Sequence, residues 1–221
     1  MSLNTYKVID DFLPDDDFKS FRDLIVRYET SNGQTWPEYL TSVGDVGIEK
    51  PIITELKKES FKNKNDLEIF ENFTNLLSNN LTEYSNYKVI SWKQNIYRYK
   101  YKSGILLHRD SDGSNNLGST RLGISFYLNG EWKQNWGGEL FIYQGGENKW
   151  GYVTENNDDL FRSLKLDDVI TPRPNRLVIV DGPWHKLNPN QSKNNDRLSL
   201  QTFITIRPKH KTKPKIFKGK K

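Results

Sequence analysis

From residue 87 to residue 206 the chain reads as one β-like segment after another, and this run constrains the fold more than any other feature. Tyr87 to Tyr101 alternates, with Val89, Ser91, Lys93, Asn95, Tyr97 and Tyr99 assigned to one face of a strand. Leu122-Gly123-Ile124-Ser125-Phe126-Tyr127-Leu128 reads as a buried strand, as do Gly138 to Tyr143 and Arg176-Leu177-Val178-Ile179-Val180. Arg197 to Ile206 closes the set. Many short strands with turns between them predict a sandwich or a barrel. The preceding residues differ in texture. Tyr6-Lys7-Val8-Ile9 is strand-like, and Phe18, Phe21, Leu24, Ile25 and Tyr28 recur at helical spacing behind Asp15-Asp16-Asp17, acids that complement a helix N-terminus. Residues 29–50 look irregular, and a second helical region is expected over roughly 65–84, with Leu67, Phe70, Phe73, Leu76, Leu77 and Leu81 on one face. Helices first and strands afterwards predict an α+β layer, with helices packed on one face of a β core. The expected organisation is one domain over 1–206, with helical support in 1–86 and the β core in 87–206, followed by a basic tail at 207–221.

Composition narrows the chemistry. With no Cys, the chain has no disulfide, zinc finger, iron–sulfur cluster or thiol nucleophile, so a protein-bound metal must use His and carboxylates. There are three His: His108, His185 and His210. Six Trp, eleven Tyr and eleven Phe compensate for few aliphatics, so a sizeable core is possible. Met1 to Lys7 holds no apolar signal-peptide core and no apolar stretch approaches a membrane span, which predicts a soluble, cytoplasmic protein. The net charge of +5 belongs to the tail, where residues 207–221 carry eight Lys or Arg and no acid, leaving the remainder at −3. That tail is either a solubilising end or an arm for nucleic acid or the ribosome.

His108-Arg109-Asp110 supplies one imidazole and one carboxylate, two thirds of the 2-His-1-carboxylate set that holds Fe(II) on one face. In an extended segment, residues two apart project to the same side. Ser111 to Asn116 suggests a turn directly afterwards. A lone His-x-Asp is weak, but His185, in Asp181-Gly182-Pro183-Trp184-His185, follows a buried-type strand and is the only other His in the β region. Alone it would read as a core histidine beside Trp184. Arg197 and Ser199 share a strand face, and a guanidinium facing into a β core needs a carboxylate partner, which a bound dicarboxylate would provide. An outward-facing strand Arg is the plainer alternative.

At this point the chain resembles the prolyl-4-hydroxylase-like branch of the Fe(II)/2-oxoglutarate dioxygenases. The resemblance runs from about Asn95 to Arg207. Its blocks are Tyr97-Arg98-Tyr99, His108-Arg109-Asp110, Tyr127-Leu128-Asn129, Trp136-Gly137-Gly138-Glu139-Leu140, Pro174-Asn175-Arg176-Leu177-Val178, His185 and Arg197-Leu198-Ser199. Val8 to Pro14 is similar to the family's first strand. The resemblance implies a double-stranded β-helix, or jelly roll, buttressed by helices on its major sheet. It implies Fe(II) held by His108, Asp110 and His185, and 2-oxoglutarate whose distal carboxylate pairs with Arg197 and Tyr127, with Ser199 assisting and Tyr99 as a looser candidate. It implies O2 as the second cosubstrate, ascorbate as an accessory reductant, and hydroxylation coupled to decarboxylation of 2-oxoglutarate to succinate. Halogenating relatives replace the carboxylate ligand with a small residue, so Asp110 implies hydroxylation. The collagen-directed enzymes use Lys where this chain has Arg197, which places it nearer the intracellular, oxygen-sensing type.

The expected substrate is a peptidyl residue, with proline favoured. A free amino acid or other small molecule is the enzymatic alternative. A jelly-roll binding module with a basic nucleic-acid tail is the non-enzymatic one, since jelly rolls host many functions. A nucleic-acid demethylase is disfavoured, because the chain without its tail is net acidic. The polar insertion at 144–166 is expected to be either a substrate lid, with Trp150 and Tyr152 as contacts, or a solvated loop.

Overall fold

The computed structural model describes residues 5–29, 34–35, 49, 51–110, 120–145, 151–152 and 162–209. Strand β1 (Thr5–Ile9) leads into helix α1 (Asp15–Glu29). Strands β2 (Gln34–Thr35) and β3 (Ile52–Leu56) follow, then helix α2 (Lys64–Asn79) and the long β4 (Tyr87–Tyr99). Next come β5 (Ile105–Arg109), β6 (Thr120–Tyr127), β7 (Leu140–Gly145) and β8 (Gly151–Tyr152). The chain continues through β9 (Leu164–Ile170), β10 (Leu177–Asp181), β11 (Trp184–Leu187) and β12 (Arg197–Pro208).

Both helices begin for local reasons. Asp15, Asp16 and Asp17 place negative charge on the first turn of α1, where free backbone N–H groups carry partial positive charge. Asn63 caps α2 by accepting a hydrogen bond from the Asn65 amide at 2.9 Å. Their apolar stripes, led by Phe21, Leu24 and Ile25 on α1 and Phe70, Phe73 and Leu77 on α2, are buried. Phe21 stacks on Phe73 with centroids 4.2 Å apart, and Phe126 of β6 meets the same rings at 5.9 and 5.1 Å. Burying each such ring contributes up to about 3 kcal/mol, so this aromatic knot is what fastens the helices to the sheet. The second helical stretch is shorter than its periodicity suggests, because α2 stops at Asn79 and a separate 3-10 turn covers Thr82–Tyr84.

The strands form two antiparallel sheets, seven strands in the order β1-β10-β6-β12-β4-β3-β2 and five in the order β8-β5-β11-β7-β9. The helices cover the outer face of the larger sheet, and a second core lies between the sheets. Alternate residues of β10 serve both: Leu177 and Ile179 join the helix layer, while Val178 and Val180 face the interior. A strand buried on both sides has no polar face, which is why this segment is continuously apolar in sequence. This is the expected double-stranded β-helix with helices on its major sheet.

Several strands escape the periodicity, β3 and β9 being the longest. Strand β3 follows directly on the stretch read as irregular, and β9 begins in the last residues of the stretch read as a polar insertion and runs past it. As the outer strand of its sheet, β9 leaves most of Leu164–Ile170 exposed, so it has no need of an apolar face. Asn175, at φ 58°, locks the start of the chain to the core: its side chain accepts from the Leu13 amide at 2.9 Å and donates to the Leu13 carbonyl at 2.7 Å. Arg176 beside it pairs with Asp10, Nη2 to Oδ2 at 2.9 Å. No helix among the described residues is long and apolar enough to cross a membrane. Residues 210–221, most of the basic tail and with them His210, lie outside the described residues, as do the turn expected after Asp110 and Trp150.

Candidate active site

His108 and His185 stand at facing positions of the adjacent strands β5 and β11, with ring centroids 4.3 Å apart. Both are buried, at 9% and 7% exposure. Each ring is oriented by its own chain: His108 Nδ1 lies 2.7 Å from the Leu106 carbonyl oxygen and His185 Nδ1 lies 3.0 Å from that of Pro183. A carbonyl oxygen only accepts, so Nδ1 carries the hydrogen in both rings and Nε2 presents its lone pair. Burial and the neighbouring imidazole push the His108 pKa down to about 4 against the pull of Asp110, which keeps that ring neutral near pH 7.

Asp110 follows the last residue of β5 and brings its carboxylate to both rings, Oδ1 3.9 Å from His108 Nε2 and Oδ2 3.8 Å from His185 Nε2. These separations are too long for hydrogen bonds. Three ligand atoms within 4.8 Å of one another therefore converge without satisfying each other, which suits a shared cation. Two imidazoles and one carboxylate form the donor set that non-haem Fe(II) oxygenases use.

The second half of the site lies deeper between the sheets. Arg197 opens β12 opposite Tyr99 of β4 and is 1% exposed. Its guanidinium lies 4.6 Å from the Tyr99 ring centre and 4.8 Å from that of Tyr127. Arg197 Nε and Nη1 and the hydroxyls of Tyr99 and Tyr127 are buried without a hydrogen-bond partner among the described residues. Burial raises the Tyr99 pKa well above the usual phenol range, and the nearby guanidinium only partly opposes this, so its hydroxyl stays a donor. A buried cation and two phenols left unsatisfied together are costly unless an anion joins them, and a carboxylate matches the planar fork of the guanidinium. The residues present thus fit a dicarboxylate.

Ser199 lies on the same face of β12, fully buried, and accepts a hydrogen bond from Gln201 Nε2 at 3.2 Å. Gln201 in turn accepts from the Ser125 hydroxyl at 2.8 Å. Strand β6 joins the two halves, because Gly123 touches Asp110 and Tyr127 meets Arg197 on one inner face, roughly 13 Å apart along the strand.

Two supporting residues were legible only as parts of sequence blocks, without a role. Asn129 clasps the backbone on both sides of Arg197, donating to the Asp196 carbonyl at 2.7 Å and accepting from the Leu198 amide at 2.9 Å. Gly138, at φ 73°, lies so close to Arg197 that a Cβ there would sit 2.9 Å from its Cδ. In the insertion, β8 pairs directly with β5, Tyr152 opposite His108 and Gly151 opposite Arg109. The Tyr152 side chain lies outside the described residues.

A family model for the 2OG-Fe(II) oxygenase superfamily matches residues 94–205. No curated protein sequence matches the chain. Among solved structures, the fold is similar to a prolyl hydroxylase in complex with a hypoxia inducible factor oxygen degradation domain peptide fragment from Trichoplax adhaerens, with TM-score 0.63 and 18% identity over 91% of this chain and 84% of that one. It is similar to a Pseudomonas putida prolyl-4-hydroxylase, with TM-score 0.61 and 15% identity over 94% of each chain. It is also similar to a non-heme α-ketoglutarate-dependent carbocyclase from nogalamycin biosynthesis, with TM-score 0.65 and 14% identity over 91% of this chain and 79% of that one. With the match covering half the sequence, the chain belongs to the 2OG-Fe(II) oxygenase superfamily, whose reactions use Fe(II), 2-oxoglutarate and O2.

Proposed function

We propose that the protein hydroxylates a peptidyl residue, proline in the first instance, with His108, Asp110 and His185 holding the iron and Arg197 holding the distal carboxylate of 2-oxoglutarate. The observation that carries this is the pocket of unsatisfied donors around Arg197, which calls for a carboxylate at one end while the His-Asp-His cluster calls for a cation at the other. When bound, the metal and 2-oxoglutarate supply the oxidising chemistry, coupled to decarboxylation of 2-oxoglutarate to succinate.

The chain's own residues bind, orient and desolvate. Arg197 offers Nε and Nη1 to the distal carboxylate, and the Tyr127 and Tyr99 hydroxyls donate to the same group. Ser199 keeps its own O–H for donation, since its oxygen is the acceptor for Gln201. The backbone carbonyls of Leu106 and Pro183 hold the Nδ1 protons, fixing each imidazole with Nε2 toward the ion. Burial of all these groups keeps water from competing for the donors.

The likeness to a prolyl hydroxylase structure solved with a peptide supports a peptide substrate. The comparable likeness to a carbocyclase from nogalamycin biosynthesis supports a second reading, a small-molecule substrate. Purified protein given Fe(II) and 2-oxoglutarate without O2 should develop the weak visible charge-transfer band of the chelate, and admitting O2 should yield succinate. Absence of both sinks the proposal. A proline-containing peptide library run beside a free amino-acid panel, scored for the mass gain of one oxygen atom, separates the two substrate classes.

A further inference from the structure

Gly123 lies inside β6, opposite Val180 of β10 and Phe203 of β12. Both neighbours turn their side chains into the space between the sheets. Glycine is disfavoured within a central strand, where it often marks the close approach of another group. Here the approaching group is a carboxylate. A Cβ built on Gly123 would collide with Asp110 Oδ2 and lie 3.4 Å from Asp110 Cγ, and beyond its two chain neighbours no other described residue comes within 4 Å of it. Gly123 has no positive φ, so its backbone would accept alanine. The constraint at this position is contact with Asp110 and nothing else.

We infer that Gly123 is a positioning residue for the metal-binding carboxylate: by lacking a side chain it gives Asp110 a flat seat on the major sheet, midway between the two imidazoles. The inference rests on the His-Asp-His cluster being the metal site. All three proposed ligands come from the smaller sheet or the residue just after one of its strands, whereas Gly123 belongs to the larger one. The larger sheet therefore sets the ligand geometry without donating a ligand. Asp110 Oδ2, the atom facing Gly123, is also the atom nearest His185 Nε2, at 3.8 Å. A methyl group at 123 must push that oxygen off its seat, and the short aspartate side chain gives way only by turning its carboxylate.

The test compares the wild type, Gly123→Ala, Asp110→Ala and the double variant as full-length proteins. Co(II) is titrated under anaerobic conditions and followed by its visible absorption. Gly123→Ala is expected to weaken Co(II) binding by about tenfold or more, the usual effect of disturbing a group that orients a ligand, and to alter the band shape. The metal-free proteins are then melted. Gly123→Ala is expected to lower Tm when Asp110 is present and to leave it unchanged or raise it in the Asp110→Ala background, where the clash has no partner. If the single variant does not fold, recovery of a cooperative melt in the double variant gives the same support. Wild-type affinity and spectrum in a folded Gly123→Ala protein overturn the inference alone, as does an equal loss of Tm in both backgrounds. A wild type that binds no Co(II) overturns the assignment of the metal site, and this inference with it.

Discussion

Arg197 offers the sharpest test of the cosubstrate assignment, because its removal should weaken binding strongly while leaving stability nearly unchanged. The perturbation is Arg197→Met, which keeps an unbranched apolar stem and deletes the guanidinium. Two charge-assisted hydrogen bonds from Nε and Nη1 to a carboxylate are worth about 1.5–3 kcal/mol each, or about 3–6 kcal/mol together. At about 1.4 kcal/mol per tenfold, 2-oxoglutarate affinity should fall by roughly 10²- to 10⁴-fold, the lower figure applying if chelation of the metal still holds the other end. Stability is decided differently. A buried charge costs several kcal/mol in desolvation. Stacking on Tyr99 and Tyr127 offsets this by about 2 kcal/mol per ring. The two terms nearly cancel, so the metal-free Met variant should melt within a few degrees of the wild type. The assay is an anaerobic 2-oxoglutarate titration of the Fe(II) protein, read by the visible chelate band, beside thermal melts without ligand. The reasoning is refuted if Arg197→Met binds 2-oxoglutarate as the wild type does. It is refuted equally if the variant loses about 2 kcal/mol, a fall in Tm of roughly 4–8 °C at this chain length, since Arg197 would then be a structural residue.

Two further predictions follow from the same site. Gly138→Ala should raise the 2-oxoglutarate concentration for half-saturation about tenfold, through backbone strain at φ 73° and contact of the new methyl group with Arg197 Cδ and with Trp132, 3.2 Å away, while Co(II) affinity stays unchanged; unaltered 2-oxoglutarate affinity would count against it. For the metal-free protein, His108 has a folded pKa of about 4 against an ordinary value of 6.5. The unfolded chain therefore binds more protons between those values, so the contribution is fully present above pH 6.5 and is lost as pH falls toward 4. It amounts to at most about 3 kcal/mol. Melts from pH 7.5 downward in chelator should show a steeper loss for the wild type than for His108→Gln, and parallel curves would discount the effect.

The sequence made the site more legible than its surroundings, for physical reasons. His108, Asp110, His185 and Arg197 are polar residues set beside or within apolar strands, and such residues stand out because burying them needs a partner. Helix α1 was readable because one face is buried against a sheet and the other is wet, and it ends within a residue of the expected Tyr28. Strand β9 was hidden because an outer strand exposed along most of its length carries no hydrophobic alternation. His185 was expected just past a strand, yet it sits inside the four-residue β11, too short to show a period of its own. Gly123 and Gly138 were visible as letters and silent as to role, because what matters there is the side chain of a residue distant in sequence.

The facing of His108 and His185 across the β5–β11 ladder carries one more consequence. Side chains alternate along a strand, so a slip of a single residue would turn one imidazole to the outer surface. Strand β11 pairs with β7 in unbroken register, but its ladder with β5 is irregular between His185 and Leu187, so the placement of β5 is the weaker joint. With His108 and His185 holding an ion as proposed above, one alignment only would serve both rings. Metal loading would then report correct assembly of the smaller sheet, which strand content alone would not reveal.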